Sequence, residues 1–276
     1  MKTRSITLVL ALAIGLGNLC AQEVGLQFYS LRNQFKKDVP GTLELISSWG
    51  ITKCEGGGTY GYSMEEFQGM LKKNNLEVVC VGSSFEDLAK DPTKAIANAK
   101  AYDAKFVMCA WIPHDGNSFT IEDTKNATEV FNKAGKMMKD EGITLAYHTH
   151  GYEFRPYEDG TLFDYMAKNA EHFAFEMDIF WVQHGGEDPL GLLNKYPEKF
   201  VMLHLKDMEH GVKGNNTGHE DVETNVVLGA GQLDVAGVVN RAKELGYVKY
   251  MFIEDECSRV VQQVPKSLEF LESLEK

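Results

Sequence analysis

The sequence predicts one α/β domain folded as a closed (β/α)8 barrel, and three observations lead to this prediction. Eight apolar segments of strand length alternate with helical segments along the 276 residues. No stretch of linker composition divides the chain, and 43% of the residues are hydrophobic with only seven prolines. Alternating strands and helices form parallel sheets, and eight such units suit a closed barrel better than an open one. A doubly wound open sheet is the alternative, but its usual nucleotide fingerprint is missing.

Short runs rich in Val, Ile, Phe and Leu define the predicted strands in chain order. The predicted strands are residues 24–30, 52–55, 76–82, 105–110, 143–148, 173–177, 200–205 and 249–254. The triplet Gly56-Gly57-Gly58 follows the second strand without the Lys-Ser/Thr ending of a phosphate-binding loop. We therefore interpret the triplet as a flexible connection between a strand and a helix.

Amphipathic segments with start and stop signals define the helices. Pro40 lies in the first turn of the first helix and Gly50 ends it, while Ser63 caps the second helix and Gly142 closes the fourth. The predicted helices are residues 38–49, 64–74, 92–103, 120–141, 162–169, 189–195, 235–246 and a last one from about 258. The long segment 208–228, after the seventh strand, is predicted to lie over the barrel mouth as a lid.

The first 21 residues are predicted to be a secretory signal peptide rather than part of the barrel domain, which we place at 22–276. Lys2 and Arg4 precede an apolar run, and cleavage is expected after Ala21. The run is shorter than the roughly 20 residues of a membrane span. Lipid attachment at Cys20 is the alternative, although Asn18 before it is not the small residue that such processing favours. We expect an exported protein, periplasmic in a Gram-negative bacterium.

Charge and cysteine content limit the possible partners. The net charge of −12 becomes −14 without Lys2 and Arg4, because 26 basic residues then face 40 acidic ones. An acidic chain without a basic run is not expected to bind nucleic acid. The four cysteines beyond the leader lie in or beside apolar strands, so we predict buried free thiols rather than disulfides. The sequence is compatible with a homo-oligomer and does not fix its size.

Ionisable side chains follow four of the predicted strands. The seventh strand ends in His204, Lys206 and Asp207, and taken alone this could be a core histidine before a solvated strand exit. The carboxyl ends of barrel strands converge on one mouth, however, so residues distant in sequence meet there. The expected metal ligands are Glu153, Asp178, His204 and Glu254. Three carboxylates and one imidazole suit Mn²⁺, Mg²⁺, Co²⁺ or Zn²⁺.

An ordered set of motifs across nearly the whole mature chain resembles the xylose-isomerase-like barrel superfamily, within its sugar isomerase/epimerase group. The motifs are His148-Thr-His-Gly-Tyr-Glu-Phe, Met177-Asp-Ile-Phe-Trp, His204-Leu-Lys-Asp, Leu228-Gly-Ala-Gly-Gln-Leu-Asp and Ile253-Glu-Asp-Glu. The resemblance implies a metal-dependent enzyme that acts on a sugar or polyol carbonyl, with the same four ligands. Relatives often carry a histidine where this chain has Trp181, so an endonuclease-type second metal site is not expected.

The chemistry expected at this site is removal of a proton beside a carbonyl through an enediolate. The expected catalytic residues are His150, Lys206, Glu153 and Glu254, with a lowered pKa for Lys206. The expected substrate contacts are His148, Trp181, Gln27 and Arg32. Glu176 shares a strand face with Asp178 and is expected to support the ligands.

The sequence favours a secreted sugar isomerase or epimerase. Export argues for an unphosphorylated sugar or keto-sugar as the small-molecule substrate. A keto-sugar or inosose-type lyase uses the same chemistry and is the alternative. An apurinic-site endonuclease-like phosphodiesterase and a non-catalytic sugar-binding protein fit less well.

Overall fold

A closed barrel of eight parallel strands forms the core of the computed structural model, which describes residues 23–275. Each strand pairs with its sequence neighbours, and the eighth pairs with the first. The strands are β1 Glu23–Gln27, β2 Lys53–Gly56, β3 Glu77–Gly82, β4 Phe106–Cys109, β5 Thr144–His148, β6 Ala174–Asp178, β7 Phe200–Leu205 and β8 Tyr250–Ile253. The barrel prediction is confirmed. The predicted signal peptide and Cys20 lie outside the described residues.

Eleven α-helices surround the barrel within the described part of the chain. They are α1 Arg32–Phe35, α2 Val39–Ser48, α3 Met64–Lys73, α4 Phe85–Lys90, α5 Thr93–Tyr102, α6 Ile121–Asp140, α7 Leu162–Asn169, α8 Ile179–His184, α9 Pro189–Lys195, α10 Val235–Leu245 and α11 Val260–Ser273. The sequence did not predict α1, α4 and α8, because helices of four to six residues are too short to show an amphipathic period. The segment after β7 contains a two-stranded sheet, Asp207–Met208 with Asn225–Val226.

The two faces of each strand serve different cores, because successive side chains point to opposite sides. Outward residues such as Leu145, Tyr147 and Leu203 pack beneath the helices in the main core. Inward residues form a separate cluster that includes Ala146, Met202 and Phe252. His148, His204 and Glu254 lie two residues beyond these three, so the same alternation places them inside the barrel at its carboxyl end.

The four cysteines that the structure describes are free and buried, as predicted. They are Cys54, Cys80, Cys109 and Cys257. Between residues 23 and 275 the helices include none that is both long and apolar enough to cross a bilayer.

Close packing of α6 against the chain that leads into β6 predicts a position-specific effect on stability. A Cβ on Gly135 would lie 2.1 Å from the backbone oxygen of His172, whereas a Cβ on Gly69 of α3 would meet nothing within 4 Å. Gly135→Ala should therefore lower the free energy of unfolding by about 2 kcal/mol through overpacking. Gly69→Ala should raise it by about 0.5–1 kcal/mol through helix propensity. Chemical denaturation of both variants measures the difference, and equal effects would contradict this packing.

Candidate metal centre and active site

Four buried side chains from consecutive barrel strands meet at the carboxyl end of the barrel. His148 ends β5, Asp178 ends β6, His204 lies in β7 and Glu254 follows β8. One ligand atom from each lies within 4.8 Å of the others. The alternation of the strands thus brings two imidazoles and two carboxylates to one point.

The local structure at Asp178 directs one carboxylate oxygen into this group. Asp178 caps the N-terminus of α8, and its Oδ1 accepts a hydrogen bond of 3.0 Å from the backbone N–H of Trp181. Oδ2 has no hydrogen-bond partner within residues 23–275 and lies 3.5 Å from Nε2 of His148 and 3.9 Å from Nδ1 of His204. The capping bond fixes the side chain and leaves Oδ2 for a cation.

His204 bridges the four-residue group and a second pair of carboxylates deeper in the barrel. Its Nδ1 lies 3.4 Å from Oε2 of Glu254. Its Nε2 lies 2.9 Å from Oε1 of Glu55 and 3.3 Å from Oε1 of Glu176. Gln27 donates a further hydrogen bond to Glu55. A histidine that donates one N–H to a carboxylate has its other nitrogen fixed for a metal, and here Glu55 is the hydrogen-bonded carboxylate. Glu176, which was predicted to support the ligands, lies beside the same nitrogen without a hydrogen bond among the described residues.

The enclosed charges shift the pKa of several groups. Burial alone would lower the pKa of His204, but the carboxylates of Glu176, Glu55 and Glu254 raise it well above its ordinary value. Burial, together with the charge of Glu55, raises the pKa of Glu176 well above the ordinary range. Burial opposes ionisation of Glu254, yet Lys206 and His204 hold its pKa well below that range.

The four-residue group fits a divalent metal ion. Both ring nitrogens of His148, Oδ2 of Asp178 and Nδ1 of His204 are buried without a hydrogen-bond partner among the described residues. Buried polar atoms are rarely left unsatisfied, and one cation would satisfy Oδ2 of Asp178, Nδ1 of His204 and one of the two nitrogens of His148 together. The structure therefore provides a site able to hold a divalent metal.

A cavity of about 700 Å³ opens above this group. His148, His204 and Glu254 lie at its floor, and the segment after β7 contributes its wall from Gly218 onward. Gly218 has φ of +74°, and a Cβ there would lie 3.0 Å from Nδ1 of His150. This glycine lets the predicted lid approach the site closely.

The family model described as xylose isomerase-like TIM barrel matches residues 43–274. The chain belongs to this family.

The inosose dehydratase of Clostridium tetani (strain Massachusetts / E88) is one curated relative with a similar sequence. It is 28% identical over 155 residues, which are 50% of this chain and 49% of the dehydratase. The chain thus spans about half the length of the curated relatives it matches.

Two solved structures share the fold of this family member. A sugar phosphate isomerase/epimerase from Parabacteroides distasonis ATCC 8503 superposes with a TM-score of 0.75 at 23% identity, over 91% of this chain and 94% of that one. The IolI protein with a bound zinc atom gives a TM-score of 0.70 at 12% identity, over 92% and 96%. These superpositions show a common fold.

The xylose isomerase-like barrel of this chain places Glu153 differently from the sequence prediction. Glu153 was expected to be a metal ligand, but its Oε1 accepts hydrogen bonds from the backbone N–H of His150 and from the hydroxyl of Tyr147. Tyr147 faces the helices, so this carboxylate lies on the outer side of β5. His148, predicted as a substrate contact, takes its place among the four grouped residues. Burial raises the pKa of Glu153 to about 7.

Lys206 also differs from its predicted role. Its ammonium group lies 2.5 Å from Oε1 of Glu256 and 3.4 Å from Oε2 of Glu254, over the rings of Phe180 and Trp181. Burial would lower the pKa of Lys206, but the two carboxylates outweigh burial and raise it. The predicted lowering is wrong, because strand periodicity does not reveal that two acids flank the amine. Lys206 lies outside the set of cavity-lining side chains and holds Glu254 in position.

The other predicted catalytic and substrate-contact residues reach the cavity. His150 stacks on Trp181 with ring centroids 4.6 Å apart. Burial, with the nearby charges of His148 and Lys206, lowers the pKa of His150 well below its ordinary value. The predicted residues that line the cavity are Gln27, Arg32, His148, His150, Trp181, His204 and Glu254.

Glu55 is the site residue that the sequence analysis missed. It is fully buried beside His204. It is the last residue of the predicted strand 52–55, as Glu254 is of 249–254, and this position could have found it, although residues 52–55 include Thr52 and Lys53 and are not an apolar run. The glycine triplet that follows led us to interpret this strand end as a simple loop entrance.

The geometry predicts which substitutions remove the metal. His148→Ala and His204→Ala should each lower the metal content from about one divalent ion per chain to near zero, because each deletes a ligand nitrogen. Elemental analysis after metal loading measures the content.

Glu153→Gln is the matched control, since it changes a buried carboxylate that lies outside the four-residue group. Its metal content should equal that of the unchanged protein. Loss of metal in Glu153→Gln with retention in His148→Ala would favour the sequence prediction over the structure.

Proposed function

We propose that the protein is a divalent-metal-dependent enzyme that removes a proton beside the carbonyl of an unphosphorylated sugar or keto-sugar, and that it acts as an isomerase or epimerase. The observation that carries this proposal is the convergence of His148, Asp178, His204 and Glu254, three of which, His148, His204 and Glu254, line an open cavity. Three or four protein ligands with open positions are typical of catalytic metal sites.

The donor set favours Zn²⁺, Co²⁺ or Mn²⁺ over Mg²⁺. Two imidazole nitrogens and two carboxylate oxygens suit borderline transition metals, whereas Mg²⁺ prefers oxygen ligands and retains its water. The zinc atom in the IolI structure supports the same choice. When bound, such an ion supplies positive charge where a carbonyl oxygen becomes negative.

His150 is suited to take a proton from the substrate. It lines the cavity, and its Nδ1 is buried without a hydrogen-bond partner in the described chain. Stacking on Trp181 and the hydrogen bond from its backbone N–H to Glu153 hold the ring in place. A base that is fixed within reach of a bound substrate contributes typically about 10²–10⁴-fold to the rate.

The charges that line the cavity favour a neutral substrate over a phosphorylated one. The lining carboxylates are Glu220, Glu254 and Glu256, and Glu256 lies 3.6 Å from Nη2 of the lining Arg32. Two basic side chains, Arg32 and Lys36, line the cavity beside these three acids, and Arg32 is already paired, so a dianionic phosphate would meet net repulsion from the lining side chains. An exported location, predicted from the first 21 residues, agrees with an unphosphorylated substrate and belongs to this proposal.

A lyase is the second candidate, because the curated relative from Clostridium tetani is an inosose dehydratase. Removal of the same proton leads to elimination when a hydroxyl group leaves from the neighbouring carbon. The two outcomes share the metal, His150 and the cavity, and they differ in the product.

Proton exchange tests the proposed function. The metal-loaded protein should incorporate deuterium from D₂O into at least one member of a panel of unphosphorylated ketoses and inososes, beside the carbonyl. Mass spectrometry distinguishes two outcomes. Deuterium incorporation without loss of water indicates an isomerase or epimerase, and loss of water indicates a lyase. The His204→Ala variant should show neither. Exchange that proceeds equally in His204→Ala would refute the metal-dependent mechanism.

Replacement of His150 tests its role in proton transfer. His150→Ala should lower the exchange rate by about 10²-fold or more while the metal content is unchanged. His114→Ala is a matched control, since His114 belongs to the same aromatic cluster through Trp111 but lies outside the cavity lining. Equal rates in the two variants would show that His150 does not carry the proton.

A further inference from the structure

Exposed aromatic rings gather at one side of the cavity mouth. Among residues 23–275 the exposed large hydrophobic side chains are Tyr29, Tyr60, Tyr62, Met137 and Tyr247. Tyr29 and Tyr60 both line the cavity above the metal ligands. Surface aromatics that gather beside a functional cavity indicate a binding surface.

Tyr29 is held in place while much of its ring remains open to solvent. It lies in the 3₁₀ segment Phe28–Leu31 that follows β1, and its backbone N–H donates a 3.0 Å hydrogen bond to the side chain of Gln27. The guanidinium carbon of Arg32 lies 4.5 Å from the centre of its ring. The side chain is nonetheless 55% exposed. Arg32 thus supports the ring, and the exposed part remains available to a ligand.

Tyr60 is held at the rim by a stacked neighbour and an unusual backbone. Its ring lies nearly parallel to that of Phe35, with centroids 4.2 Å apart and planes 7° apart, and it is 39% exposed. Its φ is +54°, in the left-handed region that bulky residues seldom adopt. Such strain costs about 1 kcal/mol or more, and it concentrates at sites where a side chain must be presented.

The cavity is larger than one sugar ring requires. Its volume of about 700 Å³ lies in the roughly 300–1,000 Å³ range of pockets that enclose drug-sized ligands. The metal ligands are buried, whereas Tyr29 and Tyr60, which line the same cavity, are exposed and therefore mark its open, tyrosine end. A monosaccharide at the metal ligands would leave the tyrosine end open.

We propose that Tyr29 and Tyr60 form a subsite for a second ring, so that the substrate is a glycoside of a keto-sugar, with its carbonyl on the ring at the metal centre, rather than a free monosaccharide. This inference rests on the proposed function for the first ring, which binds at the metal centre. The apolar face of a pyranose or of an aromatic aglycone packs against an open tyrosine ring, and the phenol and Lys36 supply hydrogen bonds to its polar edge. A ring with an apolar face suits these tyrosines better than a phosphate group does, because the acids within the same cavity repel anions.

Calorimetric titration of the metal-loaded protein tests the subsite with paired probes. Each methyl β-glycoside of glucose, galactose and xylose is compared with the corresponding cellobiose, lactose and xylobiose, and with the phenyl β-glycoside. At least one two-ring ligand should bind about tenfold more tightly than its methyl glycoside. A gain with the disaccharides alone identifies a sugar as the second ring, and a gain with the phenyl glycosides alone identifies an aromatic aglycone.

Tyr29→Ala and Tyr60→Ala should each reduce this affinity ratio severalfold, and Tyr60→Phe should preserve it because it keeps the ring. Tyr62→Ala is the matched control: Tyr62 lies in the same loop as Tyr60 and is 38% exposed but lies outside the cavity lining, so the ratio should not change. If Tyr60→Ala unfolds, the exposed Tyr29 provides the decisive variant.

Equal affinities for the two-ring ligand and its methyl glycoside in every pair would overturn the subsite. Absence of binding by every probe would overturn it as well. So would a ratio that survives both alanine substitutions. These results are separable from the proposed function, since deuterium exchange uses single-ring ketoses and inososes. If the single-ring ketoses and inososes fail to exchange while the two-ring preference is retained, exchange is measured on the keto-glycoside of the preferred ligand, and failure there would refute the chemistry and leave the subsite standing.

Discussion

The enclosure of negative charge inside the barrel is the constraint on which the rest of the site depends. Glu55, Glu176, Asp178 and Glu254 are all buried, and an uncompensated carboxylate in a protein interior costs several kcal/mol. His204 lies within 4.0 Å of all four acids, and Lys206 adds a positive charge beside Glu254. A divalent cation beside Asp178 and Glu254 would offset the remaining negative charge of the buried carboxylates. The buried negative charge of the barrel interior thus favours binding of a cation even without substrate.

The sequence predicted the fold and three of the four grouped residues because both depend on short-range periodicity. The boundaries of Phe200–Leu205 and Leu162–Asn169 agree with the prediction to the residue. Asp178, His204 and Glu254 each end or directly follow an apolar run whose alternation fixes the inward face. For such residues the strand itself determines where the side chain points, so no knowledge of the loops is needed.

Residues beyond a strand end could not be placed in this way. Glu153 lies five residues past His148, after Gly151, whose φ of +97° turns the chain. That turn carries the carboxylate behind β5, and no periodic pattern in the sequence encodes it. The pKa of Lys206 was likewise unpredictable, because it depends on how Glu254 and Glu256 approach the amine in space. The positions of Tyr29 and Tyr60 could not be predicted either, because their proposed role depends on the cavity that they line.

The buried cysteines give the fold an independence from its redox surroundings. Burial raises the pKa of Cys109 to about 12 and that of Cys257 to about 11. At neutral pH the reactive thiolate is then on the order of one molecule in ten thousand or fewer at either position. Oxidation and disulfide exchange both require the thiolate, so both are slow at these two cysteines. No disulfide links the residues that the structure describes. The described barrel can therefore keep the same covalent structure in reducing and in oxidising surroundings.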